Sequence, residues 1–139
     1  MADLRQAVEA ELENIDAVIS CLPPAATLGR LSELELAGVS TFLHNFYNGV
    51  ENILRQILKA RDVPQPSGSS WHRDLLNLCM QQAILSSSTA KELGPYLGFR
   101  HFFAHGYATD LDPAKLEILV QDIRRVYGMF KTDVASTIR

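Results

Sequence analysis

The sequence predicts an all-α protein, an up-and-down bundle of about five helices built as one domain over residues 1–139. Apolar residues recur every three or four positions through several stretches of the chain, which is the spacing of one face of a helix. No stretch alternates apolar and polar residues as a half-buried strand would. Short connections rich in proline, glycine and serine separate the helical stretches, and helices joined in this way favour a bundle.

The first helix is predicted from Ala2 to about Leu22, because Leu4, Val8, Leu12, Ile15 and Ile19 lie on one helical stripe. The two prolines at positions 23 and 24 should end it, since proline lacks an N–H and restricts the residue before it. A loop is expected from there to about position 31.

Ser32 and Glu35 match a capping box and predict the start of a second helix that continues to Ala60. A surface loop over residues 64–70 follows, and Trp71 should open the third helix. We expect the serines at 86–88 to close that helix.

Thr89 and Glu92 offer a capping box for the fourth helix. The Gly94-Pro95 pair either kinks this helix or separates it from a fresh one that continues to His105, and Gly106 is a plausible end in both cases. The last helix should begin at 112–113, where aspartate precedes proline, and run to Phe130.

Composition and charge narrow the possible functions. Hydrophobic residues make up 47% and charged residues 21%, with a net charge of −3, so a conventional core is expected and a broad basic surface for nucleic acid is not. Cys21 and Cys79 have neither metal-ligand nor redox spacing, which predicts buried thiols in a reducing compartment. The absence of a leader pattern and of an eighteen-residue apolar run leads us to expect a soluble, cytoplasmic protein without membrane contact.

The candidate reactive side chains lie in the stretch from Arg100 to Tyr107. Arg100 and His105 are five residues apart, about 140° around a helix and ~7.5 Å along it, so we expect them to reach a common point. A guanidinium can clamp a phosphate and an imidazole can move a proton near neutral pH, which suits phosphodiester chemistry. The alternative is structural, with Phe99, Phe102 and Phe103 in the core and the polar residues as ordinary helix positions.

The four histidines of the sequence do not predict a metal site. His101 and His105 share a helix face, but the sequence offers no third ligand at a matching spacing, so no metal and no cofactor are predicted. His72 is expected to cap or pack the third helix. We expect His44 to be a hydrogen-bonded structural residue.

Arg100, His105 and Tyr107 together match the R-x-x-x-x-H-x-Y signature of HEPN-domain ribonuclease toxins of the HepT type, which the sequence resembles over nearly its whole length. The resemblance implies a homodimer whose two motifs face each other and a metal-independent endoribonuclease that cleaves tRNA or mRNA. Arg100 and His105 would be catalytic. Many members carry Asn or Asp after the arginine, and here His101 takes that position with an implied supporting or substrate-binding role.

The resemblance also implies a partner. In such type VII-like toxin–antitoxin systems a minimal nucleotidyltransferase antitoxin adenylylates the motif tyrosine, here Tyr107, and so neutralises the toxin. Two alternatives remain open: a non-catalytic helical module that binds a nucleotidyltransferase or nucleic acid, and a purely structural helical protein.

Overall fold

The computed structural model describes residues 2–106 and 111–138, and within these ranges the chain is helical and contains no strand. The helices are α1 (Ala2–Ser20), a 3₁₀ helix (Ala25–Arg30), α2 (Glu33–Ala60), α3 (Trp71–Gln81), α4 (Ser87–His105) and α5 (Pro113–Thr137). The all-α prediction is confirmed. A 3₁₀ helix occupies most of the segment predicted as a loop.

The central element is α2, which packs against α1, α3, α4 and α5. Its start is as predicted: the Ser32 hydroxyl accepts from the Glu35 N–H at 3.1 Å, and the Ser32 N–H donates to the Glu35 carboxylate at 2.9 Å. That reciprocal pair also lowers the pKa of the Glu35 carboxyl, chiefly through the bond from the Ser32 backbone. Phe46, Ile53 and Ile57 are fully buried on α2, and burial of each such side chain contributes about 1.5–3 kcal/mol.

A glycine sets the distance between α1 and α2. A Cβ added at Gly49 would lie 2.7 Å from Ile15 Cγ1 and 2.9 Å from its Cδ1. The Ile15 side chain is itself buried. The absence of a side chain at Gly49 therefore lets the two helices approach closely.

Helices α4 and α5 run antiparallel. The Ser86 N–H at the start of α4 donates to Asp133 Oδ2 at 3.0 Å, whereas the Tyr96 hydroxyl further along donates to the Leu119 carbonyl at 2.7 Å. Partner numbers on α5 therefore fall as α4 advances.

The α2–α3 pair departs from the predicted up-and-down order. His72 contacts Glu51, and Arg61 just after α2 donates to the carbonyl of Gln82 just after α3. The two helices therefore run in the same direction. The reason is that the connection folds back along α2, where Gln65 bonds to Arg55 by both its amide oxygen and its amide nitrogen.

Four helix boundaries differ from prediction. The last helix, α5, ends at Thr137, later than the expected Phe130. The first helix ends at Ser20 and the third at Gln81, both earlier than expected. The N-cap of α4 is Ser86, whose hydroxyl accepts from the Thr89 N–H at 3.1 Å, so the capping box predicted at Thr89 is wrong. Thr89 is the third residue of α4 and its side chain is buried, so it lies inside the helix that Ser86 caps.

Pro95 lies inside α4, which continues without a break through the Gly94-Pro95 pair to His105. Proline removes the hydrogen bond to the carbonyl four residues earlier, and its ring crowds that carbonyl. Leu93 and Tyr96 on either side are buried and hold the helix in the core. Gly106 ends α4, as predicted.

Of the two cysteines, Cys79 is buried and Cys21 is exposed. The prediction of a buried thiol is wrong for Cys21 because α1 ends one residue before it. Within residues 2–106 and 111–138, no helix has the combination of length and apolar character needed to cross a bilayer.

Candidate functional site

The last turns of α4 carry the predicted site residues and direct them to different surroundings. Arg100 faces α2 and α3, with 21% of its side chain exposed. His101 and His105 are exposed. Tyr107, the predicted modification site, lies outside the described residues.

Arg100 is fixed by three side chains from α2 and α3. Its Nε donates to Asn48 Oδ1 at 2.9 Å and lies 3.5 Å from Glu51 Oε1. Its Nη1 lies 3.2 Å from His72 Nε2. A guanidinium held at Nε and at Nη1 in this way has a defined orientation.

Glu51 contacts both His72 and Arg100. Only 3% of the residue is exposed, and its Oε2 lies 2.7 Å from His72 Nδ1. Burial raises the pKa of the Glu51 carboxyl above its usual range, while His72 and Arg100 oppose that rise. We call Asn48, Glu51, His72 and Arg100 the arginine cluster.

The His72 ring is supported on its other side by aromatic and cationic groups. The Trp71 ring lies against it with centroids 3.6 Å apart. Arg55 in turn lies over the Trp71 ring, 5.3 Å from the centroid. His72 therefore belongs to the polar site, in addition to packing the start of α3 as predicted.

His101 and His105 form a pair at the end of α4, with ring centroids 4.6 Å apart. Among the described residues no hydrogen bond or ion pair joins Arg100 to His105. The common point expected from helix geometry is thus not a direct contact within one chain, because Arg100 is drawn towards α2 and α3.

A row of polar atoms on α2 continues beyond the arginine cluster. Ser40 Oγ, His44 Nδ1 and Tyr47 Oη are buried and have no hydrogen-bond partner in the part of the chain that the structure describes. The expectation that His44 is hydrogen-bonded is therefore wrong for Nδ1. Its ring instead packs 5.6 Å from that of Phe103, and burial together with Arg100 lowers the pKa of His44.

An apolar groove of about 410 Å³ lies between α4 and the start of α5. Phe102 projects into it and is 42% exposed, whereas Phe99 is half-buried. The groove is lined by Pro95, Phe99, Phe102, Leu111, Asp112, Lys115, Leu116, Ile118 and Leu119. The aromatic residues of α4 are therefore divided between the core and an open surface.

Within the described ranges, no group of three His, Cys, Asp or Glu side chains is arranged to hold a metal ion. The His101–His105 pair has no third side chain of these types beside it there.

Sequence reasoning missed Asn48 and Glu51 and gave His72 no role in the site. A signal was present, because Tyr47, Glu51, Leu54 and Leu58 follow the four-three spacing of one helical stripe. All four are buried. A carboxylate on such a stripe requires a cationic or hydrogen-bonding partner, which could have pointed to Arg100 and His72.

The model of a family described as "HepT-like protein" matches residues 38–139. The matched range includes the whole arginine cluster, the His101–His105 pair and the groove, whereas α1 and the 3₁₀ helix precede it. No curated protein matches the chain.

Proposed function

Because the chain belongs to the HepT-like family, we propose that it is the toxin of a toxin–antitoxin pair and a metal-independent endoribonuclease. The observation that carries the proposal is the arginine cluster. It presents a half-buried guanidinium, bound at Nε and Nη1, on the helix that ends in two exposed histidines. Such a guanidinium suits a phosphate, and imidazoles suit proton transfer.

The proposed reaction is transesterification within RNA. One His105 takes the proton of a 2′-hydroxyl, whose oxygen attacks the adjacent phosphorus. A second imidazole donates a proton to the 5′-oxygen as its bond to phosphorus breaks, which leaves a 2′,3′-cyclic phosphate and a 5′-hydroxyl. Arg100 stabilises the negative charge on the phosphorane oxygens. His101 lies beside His105 and supports it or contacts the RNA.

We place this site at the interface of a homodimer, which brings together two copies of Arg100 and His105. The exposed Phe102 and the apolar groove beside the motif support an interface there, because large exposed apolar surfaces commonly mark contact sites. Two guanidiniums in one cleft would also provide local positive charge on a chain whose net charge is −3.

Neutralisation is proposed to occur at Tyr107. Its hydroxyl oxygen attacks the α-phosphorus of ATP on a nucleotidyltransferase antitoxin, pyrophosphate leaves, and AMP becomes attached to the tyrosine. The other three tyrosines support this assignment because all are buried: Tyr96 and Tyr127 donate to backbone carbonyls, and burial raises the pKa of the Tyr47 phenol.

The test of catalysis compares the wild type with Arg100→Ala and His105→Ala. We expect each variant to lose at least about 10²–10³-fold in RNA cleavage, as when one charge-stabilising group is removed from an enzyme. RNA fragments, growth after induction and the dimer content of the purified proteins are measured together. Arg124→Ala, an exposed arginine on α5, is the matched control and should cleave like the wild type.

Wild-type cleavage rates in both variants would contradict the catalytic proposal. A dimeric wild type that leaves RNA intact would favour the alternative of a non-catalytic module that binds a nucleotidyltransferase or nucleic acid.

The adenylylation proposal has a separate test. Incubation with a nucleotidyltransferase antitoxin and ATP should add the mass of an adenylyl group to the wild type and none to Tyr107→Phe. Loss of RNA cleavage should accompany the added mass. Equal modification of Tyr107→Phe would show that another residue accepts the group.

A further inference from the structure

Building on the ribonuclease activity proposed above, we infer that Asn48, Glu51 and His72 are positioning residues for Arg100. They hold the guanidinium by its Nε side and by one N–H of Nη1. The remaining N–H groups are thereby directed, in a fixed orientation, to a phosphate of the substrate.

The donor count of Arg100 supports this division. A guanidinium has five N–H donors and no acceptor. The Nε–H is given to Asn48 and one Nη1–H to His72. The other three have no acceptor among the described residues, so they remain to donate to the oxygens of a phosphate.

The contact between two nitrogens fixes the proton positions on His72. Because Arg100 can only donate, His72 Nε2 must accept and therefore carries no proton. The ring proton then lies on Nδ1, where it donates to Glu51 Oε2 at 2.7 Å. Only a neutral His72 in the Nδ1–H form satisfies both contacts, since a protonated ring would point an N–H at the guanidinium.

The position of Glu51 is hard to explain by stability alone. A buried ion pair can often be replaced by apolar side chains without loss of stability, because desolvation offsets much of the attraction. Glu51 nevertheless lies at 3% exposure on an otherwise apolar stripe of α2. Its two oxygens serve separate partners, with Oε1 near Arg100 and Oε2 at His72.

The arginine cluster is supported by residues of α2 and α3. Asn48 and Glu51 are three residues apart on the central helix, and Trp71 covers the His72 ring. The conformational entropy of the long arginine side chain is therefore lost when the protein folds. Substrate binding does not have to order it again. A displaced guanidinium would still attract RNA but would fit the charge of the transition state less well.

The first experiment does not depend on RNA cleavage. Nitrogen-15 NMR of histidine-labelled wild-type protein reports the protonation state of each imidazole nitrogen, and single His→Gln variants assign the four histidines. At neutral pH we expect His72 to be neutral with its proton on Nδ1. A protonated His72, or one with its proton on Nε2, would overturn the proposed anchoring.

The second experiment measures kcat and KM for RNA cleavage. Asn48→Leu has nearly the same volume but no acceptor, and we expect kcat to fall by about 10–100-fold, the size of effect that a misplaced group produces, with little change in KM. Asn48→Asp keeps the Oδ1 acceptor and should recover most of kcat. Asn52→Leu, an exposed position one turn further along α2, is the matched control and should match the wild type.

Glu51→Gln and His72→Gln extend the test to the other two residues, each with a fold check by circular dichroism. A normal kcat in folded Asn48→Leu, with Arg100→Ala inactive, would overturn the positioning roles and leave the ribonuclease proposal intact. A wild type that does not cleave RNA would overturn the ribonuclease proposal, while the NMR result would still decide whether Arg100 is anchored as described.

Discussion

Arg100 shows how the surroundings of a residue determine its chemistry. Its guanidinium contacts an amide, a carboxylate and an imidazole that come from two other helices. The same residue on a solvated helix face would sample many rotamers and offer a phosphate a diffuse charge. Arg100→Lys is consequently not a conservative change here, because an ammonium cannot serve three anchors and a phosphate together.

At the residue scale, His44 predicts a pH dependence of stability. Burial and the nearby Arg100 lower its pKa below the ordinary 6.5, so the unfolded chain binds more protons just below that pH. The stabilising contribution of neutral His44 is therefore present above about pH 6.5 and is lost as the pH falls through the lowered pKa.

Urea unfolding at a series of pH values measures this effect. The free energy of unfolding of the wild type should fall more steeply below about pH 6.5 than that of His44→Gln. His101→Gln controls for the loss of an exposed histidine and should follow the wild type. Parallel curves for the wild type and His44→Gln would show that the burial of His44 has no such consequence.

The motif residues could be predicted from the sequence, but the residues that hold Arg100 in place could not. Arg100 and His105 could be singled out because their side-chain chemistry and spacing are visible in eight consecutive residues. Asn48 and Glu51 lie 52 and 49 positions before Arg100, and only the packing of α2 against α4 brings them to it. Roles that depend on such distant partners cannot be read from local patterns.

At the element scale, the contact between α1 and α2 at Gly49 makes a prediction. Gly49→Ala places a Cβ 2.7 Å from a buried Ile15 atom and should destabilise the fold, since overpacking a core costs about 1–3 kcal/mol. Gly38→Ala is the matched control. It lies on the same helix, and apart from neighbouring backbone no heavy atom of the described residues lies within 4 Å of its added Cβ.

Both substitutions gain the helix propensity of alanine, about 1 kcal/mol, so the difference between their unfolding free energies isolates the steric effect. Denaturant unfolding of the two variants and the wild type measures it. Equal stability of Gly49→Ala and Gly38→Ala would mean that Ile15 moves aside without cost.

Helix starts and ends were predictable where a side chain caps the helix locally. The Ser32–Glu35 box and the Asp112-Pro113 start appear in the structure as the sequence indicated. At the start of α4 both Ser86 and Thr89 could act as the N-cap. The structure uses Ser86, and Thr89 is buried. The direction of α3 was not predictable, because it depends on where Gln65 attaches to α2.

At the scale of the whole molecule, the proposed dimer predicts an effect at the groove. Phe102→Ser removes an exposed aromatic side chain beside the motif and should weaken dimerisation by about tenfold or more, as expected for an interface anchor. Leu34→Ser is the matched control, because Leu34 is 83% exposed and does not line the groove.

Sedimentation equilibrium of both variants gives their dimer dissociation constants. RNA cleavage by Phe102→Ser should fall at low protein concentration and recover as the concentration is raised. A dissociation constant equal to that of the wild type would place the interface on another face of the protein.

Pro95 has a consequence for the motions of α4. Because proline carries no N–H, the carbonyl of Lys91 lacks its usual donor, and α4 is joined across this point by one hydrogen bond fewer. We expect local opening of the stretch that ends in His105 to be resisted chiefly by the Tyr96–Leu119 bond and the anchors of Arg100. Amide hydrogens beyond Pro95 should therefore exchange with solvent sooner than those of the first half of α4, which hydrogen-exchange measurements can show.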